Sequence, residues 1–370
     1  MGNCCFGEAD KKLGFGCMRL PMKGEEVDCA EFSEMVDYFM ANGFNYFDTA
    51  HSYIKGKSEP AIRECLTKRY PRESYILVDK LSSWNFEKEE EIRPLFNDML
   101  NACGVEYFDI FLMHAQCTEY YEKYLKCRAY EIAYELKREG KVRHVGISFH
   151  DSADVLERIL SEQSGIEVVQ LQFNYLDYES EKVQSRLCYE VCERHGVPVI
   201  VMEPVKGGKL VNMPKIAKKV LEERNGGSLA SYAIRYAAGF ENVKMVLSGM
   251  RNMEQVKDNV GFMSDFRPLD NDEMRAVERV REILCSQDII QCTACEYCVA
   301  GCPMTINIPE MFALSNRRAQ DGEPLREEYA ELLKDSGAAS SCADCGRCES
   351  ACPQKLPIRE LLRRVASEFE

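Results

Sequence analysis

The chain of 370 residues predicts an α/β protein: a (β/α)8 TIM barrel followed by a small, mostly helical module. Three observations carry this reading. Short β-branched or aromatic runs alternate with amphipathic stretches from Leu13 to about Met263, the signature of repeated βα units on a parallel sheet. There are eight such pairs, and a barrel of eight takes about 250 residues. The remaining residues repeat one cysteine spacing twice.

The expected strands are Leu13 to Met18, Phe44 to Thr49, Tyr75 to Lys80, Phe108 to Met113, Val142 to Ser148, Val168 to Phe173, Pro198 to Met202 and Val243 to Leu247. The helices between them are Ala30 to Ala41, Pro60 to Lys68, Lys88 to Ala102, Ala129 to Arg138, Asp154 to Ser161, Glu181 to His195, Leu229 to Ala238 and Met253 to Phe262. Closing the sheet into a barrel leaves no exposed edge. After Asp265-Phe266-Arg267-Pro268 the period changes, so residues 1–268 form the barrel. A connecting helix, Asp272 to Leu284, lies within 269–290, and the cysteine module occupies 291–370.

Eight of the 19 cysteines fall into Cys292-x2-Cys295-x2-Cys298-x3-Cys302-Pro303 and Cys342-x2-Cys345-x2-Cys348-x3-Cys352-Pro353. A cubane iron-sulfur cluster takes four thiolates, three of which a tight loop can supply. In two-cluster ferredoxins the cysteine before proline ligates the other cluster. The spacing therefore assigns Cys292, Cys295, Cys298 and Cys352 to one [4Fe-4S] cluster, and Cys342, Cys345, Cys348 and Cys302 to a second. C-x2-C is also a zinc spacing, but four cysteines and a proline, repeated, form the iron-sulfur pattern. Each half then leads through a proline into a helix, at Ile308-Pro309 and at Leu356-Pro357. A further helix is expected at Glu327 to Lys334, making this a helix-rich dicluster ferredoxin-like domain.

Composition narrows the function. A net charge of −14 repels phosphate backbones, so nucleic acid is not an expected partner. No apolar stretch approaches the roughly 20 residues that cross a bilayer. Met1-Gly2-Asn3-Cys4-Cys5 hints at acylation, but Phe6 stands where a myristoylation signal has Ser or Thr, and no secretory core follows. The expected location is the cytoplasm. The other cysteines, Cys65, Cys103, Cys188 and Cys192 among them, read as buried, reduced thiols in a reducing, anaerobic cell interior.

Active sites in such barrels stand where strands end at the carboxyl face. Asp48 closes the second expected strand with Tyr53 five residues on, Lys80 closes the third and His114 follows the fourth. Singly, each has an ordinary explanation: a solvated lysine, a packing tyrosine, a satisfied imidazole. Together they suit acid catalysis, since an adjacent ammonium is expected to lower the pKa of the Tyr53 phenol.

The motifs Phe47-Asp48-Thr49-Ala50-His51-Ser52-Tyr53, Ile76-Leu77-Val78-Asp79-Lys80, Asp109-Ile110-Phe111-Leu112-Met113-His114 and Val145-Gly146-Ile147-Ser148 resemble the aldo-keto reductase family over roughly residues 10 to 265. The resemblance implies a barrel that binds NAD(P)H across its carboxyl face and a tetrad of Asp48, Tyr53, Lys80 and His114. Tyr53 would protonate a carbonyl oxygen, Asp48 and Lys80 would tune it, and His114 would orient the substrate. The same resemblance implies cofactor contacts at Gly16, Cys17, Met18, Asp48, Ser148, Gln170, Met202, Pro204, Val205, Lys206, Gly207, Gly208, Gly249, Met250, Arg251, Gln255 and Asn259. Arg251 favours a 2′-phosphate and thus NADP(H), whereas Gln255 replaces an arginine common in phosphate binders, leaving NAD(H) open.

The expected function is a nicotinamide-dependent oxidoreductase of a small carbonyl or alcohol substrate. Its two [4Fe-4S] clusters would exchange electrons with an external ferredoxin or other redox protein. A flavin would bridge two-electron and one-electron chemistry, but the sequence carries no flavin fingerprint. The alternatives are a ferredoxin-like electron-transfer protein that uses the barrel as a docking scaffold, a redox-sensing nucleotide-binding module, and clusters that are purely structural. Ser82-Ser83-Trp84-Asn85-Phe86 and the Gln116 to Tyr124 segment are expected to shape the pocket, with Trp84 and Phe86 lining it.

Overall fold

A computed structural model describes residues 11–224, 226–286, 289–321 and 325–370. The Met1-Gly2-Asn3-Cys4-Cys5 segment lies outside them. Eight parallel strands close into a barrel in chain order: β1 (Leu13–Gly16), β2 (Tyr46–Asp48), β3 (Ile76–Leu81), β4 (Phe108–Gln116), β5 (Val142–Phe149), β6 (Val168–Gln172), β7 (Val199–Met202) and β8 (Val243–Ser248). β8 returns to β1 through Leu13↔Val246 and Phe15↔Ser248. Every expected strand is present. A hairpin, Met22–Lys23 with Glu26–Val27, follows β1 outside the barrel.

Because side chains alternate along a strand, every second residue faces the barrel axis. Tyr46, Ile76, Val78, Ile110, Leu112, Val168, Ile200, Met245 and Leu247 fill that interior as one buried cluster. The remaining strand residues pack outward against the helices in a second, larger core.

The surrounding helices are α1 (Cys29–Ala41), α2 (Ser58–Ile62, continued by a π turn over Arg63–Thr67), α3 (Glu89–Cys103), α4 (Thr118–Lys126), α5 (Ala129–Arg138), α6 (Ala153–Glu162), α7 (Ser185–His195), α8 (Lys215–Glu222), α9 (Leu229–Ala238) and α10 (Met253–Ser264). Three differ from expectation. The Gln116 to Tyr124 segment is largely the helix α4, because Tyr121 and Tyr124, one turn apart, are both buried. α8 was not predicted; it buries Ala217 and Leu221 at i, i+4 spacing. α7 begins at Ser185, since Asn174 accepts backbone N–H groups from Leu176 and Asp177 and folds the preceding chain into turns.

The connecting helix α11 (Asn271–Cys285) starts with a capping box of Asp270 and Glu273. Its Ala276, Val277, Val280 and Leu284 join the barrel's outer core. The module follows as α12 (Ile308–Asp321), α13 (Arg326–Leu332), α14 (Arg347–Ser350) and α15 (Ile358–Phe369). It has its own core, which includes Ile306, Ile308, Phe312, Ile358, Leu362 and Val365. Its internal repeat is visible in the backbone: Ala294 and Asp344, Glu296 and Gly346, and Thr305 and Lys355 are all left-handed, each pair fifty residues apart. Five of these six are not glycine, so each half-loop holds a conformation that costs about 1 kcal/mol or more per residue.

Candidate active site and cysteine sites

The alternation that fills the barrel interior continues to its carboxyl mouth and changes there from apolar to polar. Two residues beyond Tyr46, Val78, Leu112 and Val168 stand Asp48, Lys80, His114 and Gln170, all buried. Lys80 Nζ donates to Asp48 Oδ1 at 2.5 Å and to the Thr49 carbonyl at 2.6 Å, and Gln170 Nε2 donates to Asp48 Oδ2 at 2.9 Å. A bulge in β4, where the pairing with β5 shifts after Met113 and Ala115 takes φ +53°, ends the regular strand beside His114. Ser82 Oγ lies 2.6 Å from His114 Nδ1 and fixes the ring. Tyr53 arrives from the β2 loop. Its ring centroid is 4.8 Å from Lys80 Nζ and 6.0 Å from the His114 ring. The four residues of the expected tetrad are thus neighbours. Among the described residues nothing hydrogen-bonds the Tyr53 hydroxyl.

The electrostatics differ from expectation in one respect. Lys80 does not lower the Tyr53 phenol: burial first, then the charges of Asp48, Asp79, Cys17 and Glu203, push it well above its usual value. The ammonium is already matched by Asp48 and the Thr49 carbonyl, so little of its field is left for Tyr53. His114 is held well below its usual value by burial, then by the charges of Lys80 and His150, and is a neutral imidazole. Behind β3, buried Glu59 is pushed up to about 7 by burial, and its neighbour Asp79 well above the carboxylate range.

Trp84, in a short turn over Ser83–Asn85, is 41% exposed with its ring 5.1 Å from His114, as a pocket residue should be. Phe86 is not one. It is 2% exposed and packs edge-on against Tyr124 at 5.6 Å, because α4 covers the position where an open loop was expected.

The expected nucleotide contacts form two groups. Toward the centre, Gly16, Cys17 and Met18 leave β1 beside the tetrad, with Cys17 N–H donating to the Asp48 carbonyl at 2.8 Å. Ser148 Oγ accepts the Ala115 N–H at 2.8 Å and keeps its own proton, and Gln170 keeps its amide oxygen, so a carboxamide would find a donor and an acceptor. Met202 is half-buried on β7 and Pro204 is buried. Toward the rim, Gly249 and Arg251 are exposed at the start of α10, a ready site for anions. Asn252 caps this helix by accepting the Gln255 N–H at 3.0 Å, Gln255 Oε1 accepts the Arg251 N–H at 2.8 Å, and buried Asn259 donates to Ser248 Oγ at 2.6 Å. Met250 is fully buried and offers only its backbone.

The module brings its eight cysteines together in two sets. One cavity is walled by Cys292, Cys295, Cys298 and Cys352 with Ile308, Phe312, Leu356 and Ile358. The other is walled by Cys302, Cys342, Cys345 and Cys348, with Ile306 and Ile308. Ile308 lines both. These are the groupings the crossed spacing predicts, including exchange of the cysteine before proline. The donor set fits a cubane: four sulfurs per site, apolar walls and backbone N–H groups aimed at sulfur, such as Ala294 N–H to Cys292 Sγ at 3.4 Å. Burial pushes the Cys295 thiol up to about 12, so its thiolate needs a metal's charge.

Comparison with known proteins agrees. Residues 12–282 match the family model of the Aldo/keto reductase family, and residues 291–356 match that of the 4Fe-4S dicluster domain. The chain belongs to the aldo/keto reductase family. It is an oxidoreductase whose barrel is followed by a 4Fe-4S dicluster domain. The reductase is 24% identical over 298 residues to an uncharacterized oxidoreductase, YqkF, of Bacillus subtilis (strain 168), covering 72% of this chain and 91% of that protein. The aldo-keto reductase AKR11C1 from Bacillus halodurans, in its holo form, matches with a TM-score of 0.59 at 26% identity over 73% of this chain and 91% of that one. A Klebsiella pneumoniae aldo-keto reductase in complex with NADPH shares the fold, with a TM-score of 0.58 at 18% identity over 73% and 90% of the two chains.

Where the dicluster domain meets the reductase barrel, the chain uses residues that no sequence motif singled out. Gln354, two residues after Cys352, enters the mouth and exchanges amide hydrogen bonds with Gln172 at 3.0 Å in both directions. It also donates to Glu203 Oε2 at 3.0 Å and accepts from Lys206 Nζ at 2.9 Å. Lys206 was expected to border a pyrophosphate. It is instead 2% exposed and bonded to Asp177 at 2.5 Å, because Asp177 is anchored behind it by Gln172 and Asn174, each at 2.8 Å. Arg19 donates to the Gly207 carbonyl at 3.2 Å and to the Thr293 carbonyl at 2.7 Å, clasping the near cysteine loop to the β7 loop. Only the polar identity of these residues at strand ends could have marked them in the sequence.

Proposed function

We propose that this reductase transfers hydride between NAD(P)H and a small carbonyl or alcohol substrate, with Tyr53 as general acid and two [4Fe-4S] clusters beside it for single electrons. What supports this most is the unpartnered Tyr53 hydroxyl between Lys80 and His114 at the barrel mouth, with Tyr53 4.8 Å from the Lys80 ammonium. Burial keeps the Tyr53 proton in place at neutral pH, the state an acid must be in. The alkoxide that develops as a carbonyl carbon is reduced is more basic than a phenolate, so the proton transfer runs downhill toward substrate. Lys80, held by Asp48 and the Thr49 carbonyl, fixes the Tyr53 ring in place, and neutral His114 orients the oxygen without competing for the proton.

Bound NAD(P)H would supply the hydride, and the clusters would supply one-electron chemistry. Ser148 and Gln170 would orient the carboxamide. Arg251 lies near Arg19, whose like charge adds to partial burial in lowering its pKa, and this pair favours a phosphate and hence NADP(H). Cys292, Cys295, Cys298 and Cys352 would hold the cluster near the barrel, and Cys302, Cys342, Cys345 and Cys348 the one that meets an external ferredoxin or similar redox protein.

The test is anaerobic NADPH oxidation over a panel of aldehydes and ketones, with wild type and Tyr53→Phe. A loss of about 10²- to 10⁴-fold in kcat is expected. Absence of nucleotide binding, with Tyr53→Phe indistinguishable from wild type, would overturn the reading. One observation favours a second reading, electron transfer without nicotinamide: on the expected pyrophosphate path, Lys206 is bonded by Gln354 of the dicluster domain and Gly207 lies against Thr293 of the near cysteine loop. Clusters bleached by reduced ferredoxin but never by NADPH would select it.

A further inference from the structure

Between the near-site ligands Cys295 and Cys298 the chain carries Glu296 and Tyr297, and the left-handed backbone at Glu296, φ +66°, turns the loop so that Tyr297 leaves the module toward the barrel. Its ring is 6.0 Å from Trp84, which is 5.1 Å from His114, which is 6.0 Å from Tyr53. A row of rings thus runs from the cysteine loop to the tetrad. The Tyr297 side chain is half-buried there, at the head of that row.

We infer that Tyr297 is a specificity-determining wall of the substrate pocket, held in place by the loop that ligates the near cluster. This rests on the proposed carbonyl chemistry at Tyr53. A side chain anchored by ligands on both flanks has little freedom to withdraw, and a tyrosine has only two soft torsions of its own. Tyr297 and Trp84 together bound the approach to Tyr53 with aromatic surface. The substrates that fit are carbonyl compounds with a short apolar substituent. Longer or branched substituents meet the Tyr297 ring.

The experiment uses iron-loaded full-length protein and compares kcat/KM across aldehydes of increasing substituent size. Tyr297→Ala is expected to raise the ratio of bulky to short substrates about tenfold. Tyr297→Phe, which keeps the ring, is expected to retain the wild-type preference. Trp84 is the sole tryptophan of the chain, so acrylamide quenching of its fluorescence reads the same wall without catalysis and is expected to increase in Tyr297→Ala. Tyr297→Leu, a milder truncation, should move both readouts in the same direction and decides the matter if the alanine protein loses iron. Unchanged preference and unchanged quenching in the truncated proteins overturn the wall, as does a Phe variant altered as much as the Ala one. A wild type that reduces no carbonyl with NAD(P)H defeats the proposed function, and the quenching then decides alone whether Tyr297 shields Trp84.

Discussion

The two four-cysteine sites share one loop geometry and differ in what their intervening residues touch. At the near site Thr293, Tyr297 and Gln354 all face the barrel: Thr293 through Arg19, Tyr297 through Trp84, Gln354 through Gln172 and Lys206. Fifty residues away at the far site, the corresponding positions are Ala343, Arg347 and Met304, and all three are exposed. Cys345 is exposed as well, whereas its counterpart Cys295 is half-buried. The ligand spacing is therefore a common frame, and the residues between ligands decide what each site does. The near loop is built into the reductase, and the far loop is left exposed.

The largest expected effect separates the two sites at their ligands. Cys298→Ser and Cys348→Ser should each remove about half of the bound iron, since a cubane holds four irons. Only the near-site change should also alter Trp84 fluorescence and the NADPH-dependent carbonyl rate, because only that loop carries a residue of the pocket. The far-site change should instead slow electron exchange with an external ferredoxin. Iron analysis beside anaerobic kinetics reads both, and equal damage to carbonyl reduction from the two variants breaks the distinction.

A second, smaller effect probes the seam itself. Gln354→Leu leaves Gln172, Glu203 and Lys206 each short of a partner in a buried place, and such losses cost about 1–3 kcal/mol. The barrel should lose thermal stability under anaerobic conditions accordingly. Met304→Leu, at the matching far-site position and 38% exposed, should change stability by less than about 0.5 kcal/mol. Comparable melting shifts from the two would show that the far site is docked as firmly as the near one.

The sequence was legible wherever a local pattern repeats. The alternation of strand-like and helical stretches gave the barrel, and Asp48, Lys80 and His114 stood out as polar residues where the apolar strands end, with the family resemblance joining them to Tyr53 as a tetrad. The cysteine spacing gave both four-sulfur groups. The seam was not legible, because Gln354, Lys206 and Asp177 are brought together from positions 148 and 29 residues from Lys206, and a polar residue at a strand end looks the same whether it meets substrate, solvent or another domain. Lys206 was assigned to phosphate for that reason. The sign of the Tyr53 pKa shift was missed because proximity to Lys80 was visible in the motifs, but burial and the charges of Asp79 and Glu203 were not.

The smallest effect concerns the clasp at Gly207. This residue has φ +64°, and a Cβ there would lie 2.5 Å from the Thr293 carbonyl oxygen, backbone that no side-chain rotation can move away. Alanine pays about 1–2 kcal/mol for the left-handed backbone alone, and relief of the contact requires the near cysteine loop to lift from the β7 loop. Because Arg19 bonds both carbonyls, its grip is lost together with the contact. Gly207→Ala should therefore loosen the seam without touching a single sulfur: iron content stays near wild type, while protease cutting between α11 and Cys292 accelerates. Gly346, at a far-site left-handed position with φ +74°, has no backbone within 4 Å of its would-be Cβ, where the nearest atom belongs to the Arg359 side chain at 3.9 Å. Gly346→Ala carries the same backbone penalty and should leave that cutting rate unchanged. If both alanines open the α11 junction equally, the seam is weakened by general strain in the loops, and the contact between Thr293 and Gly207 is not what holds the near site to the barrel.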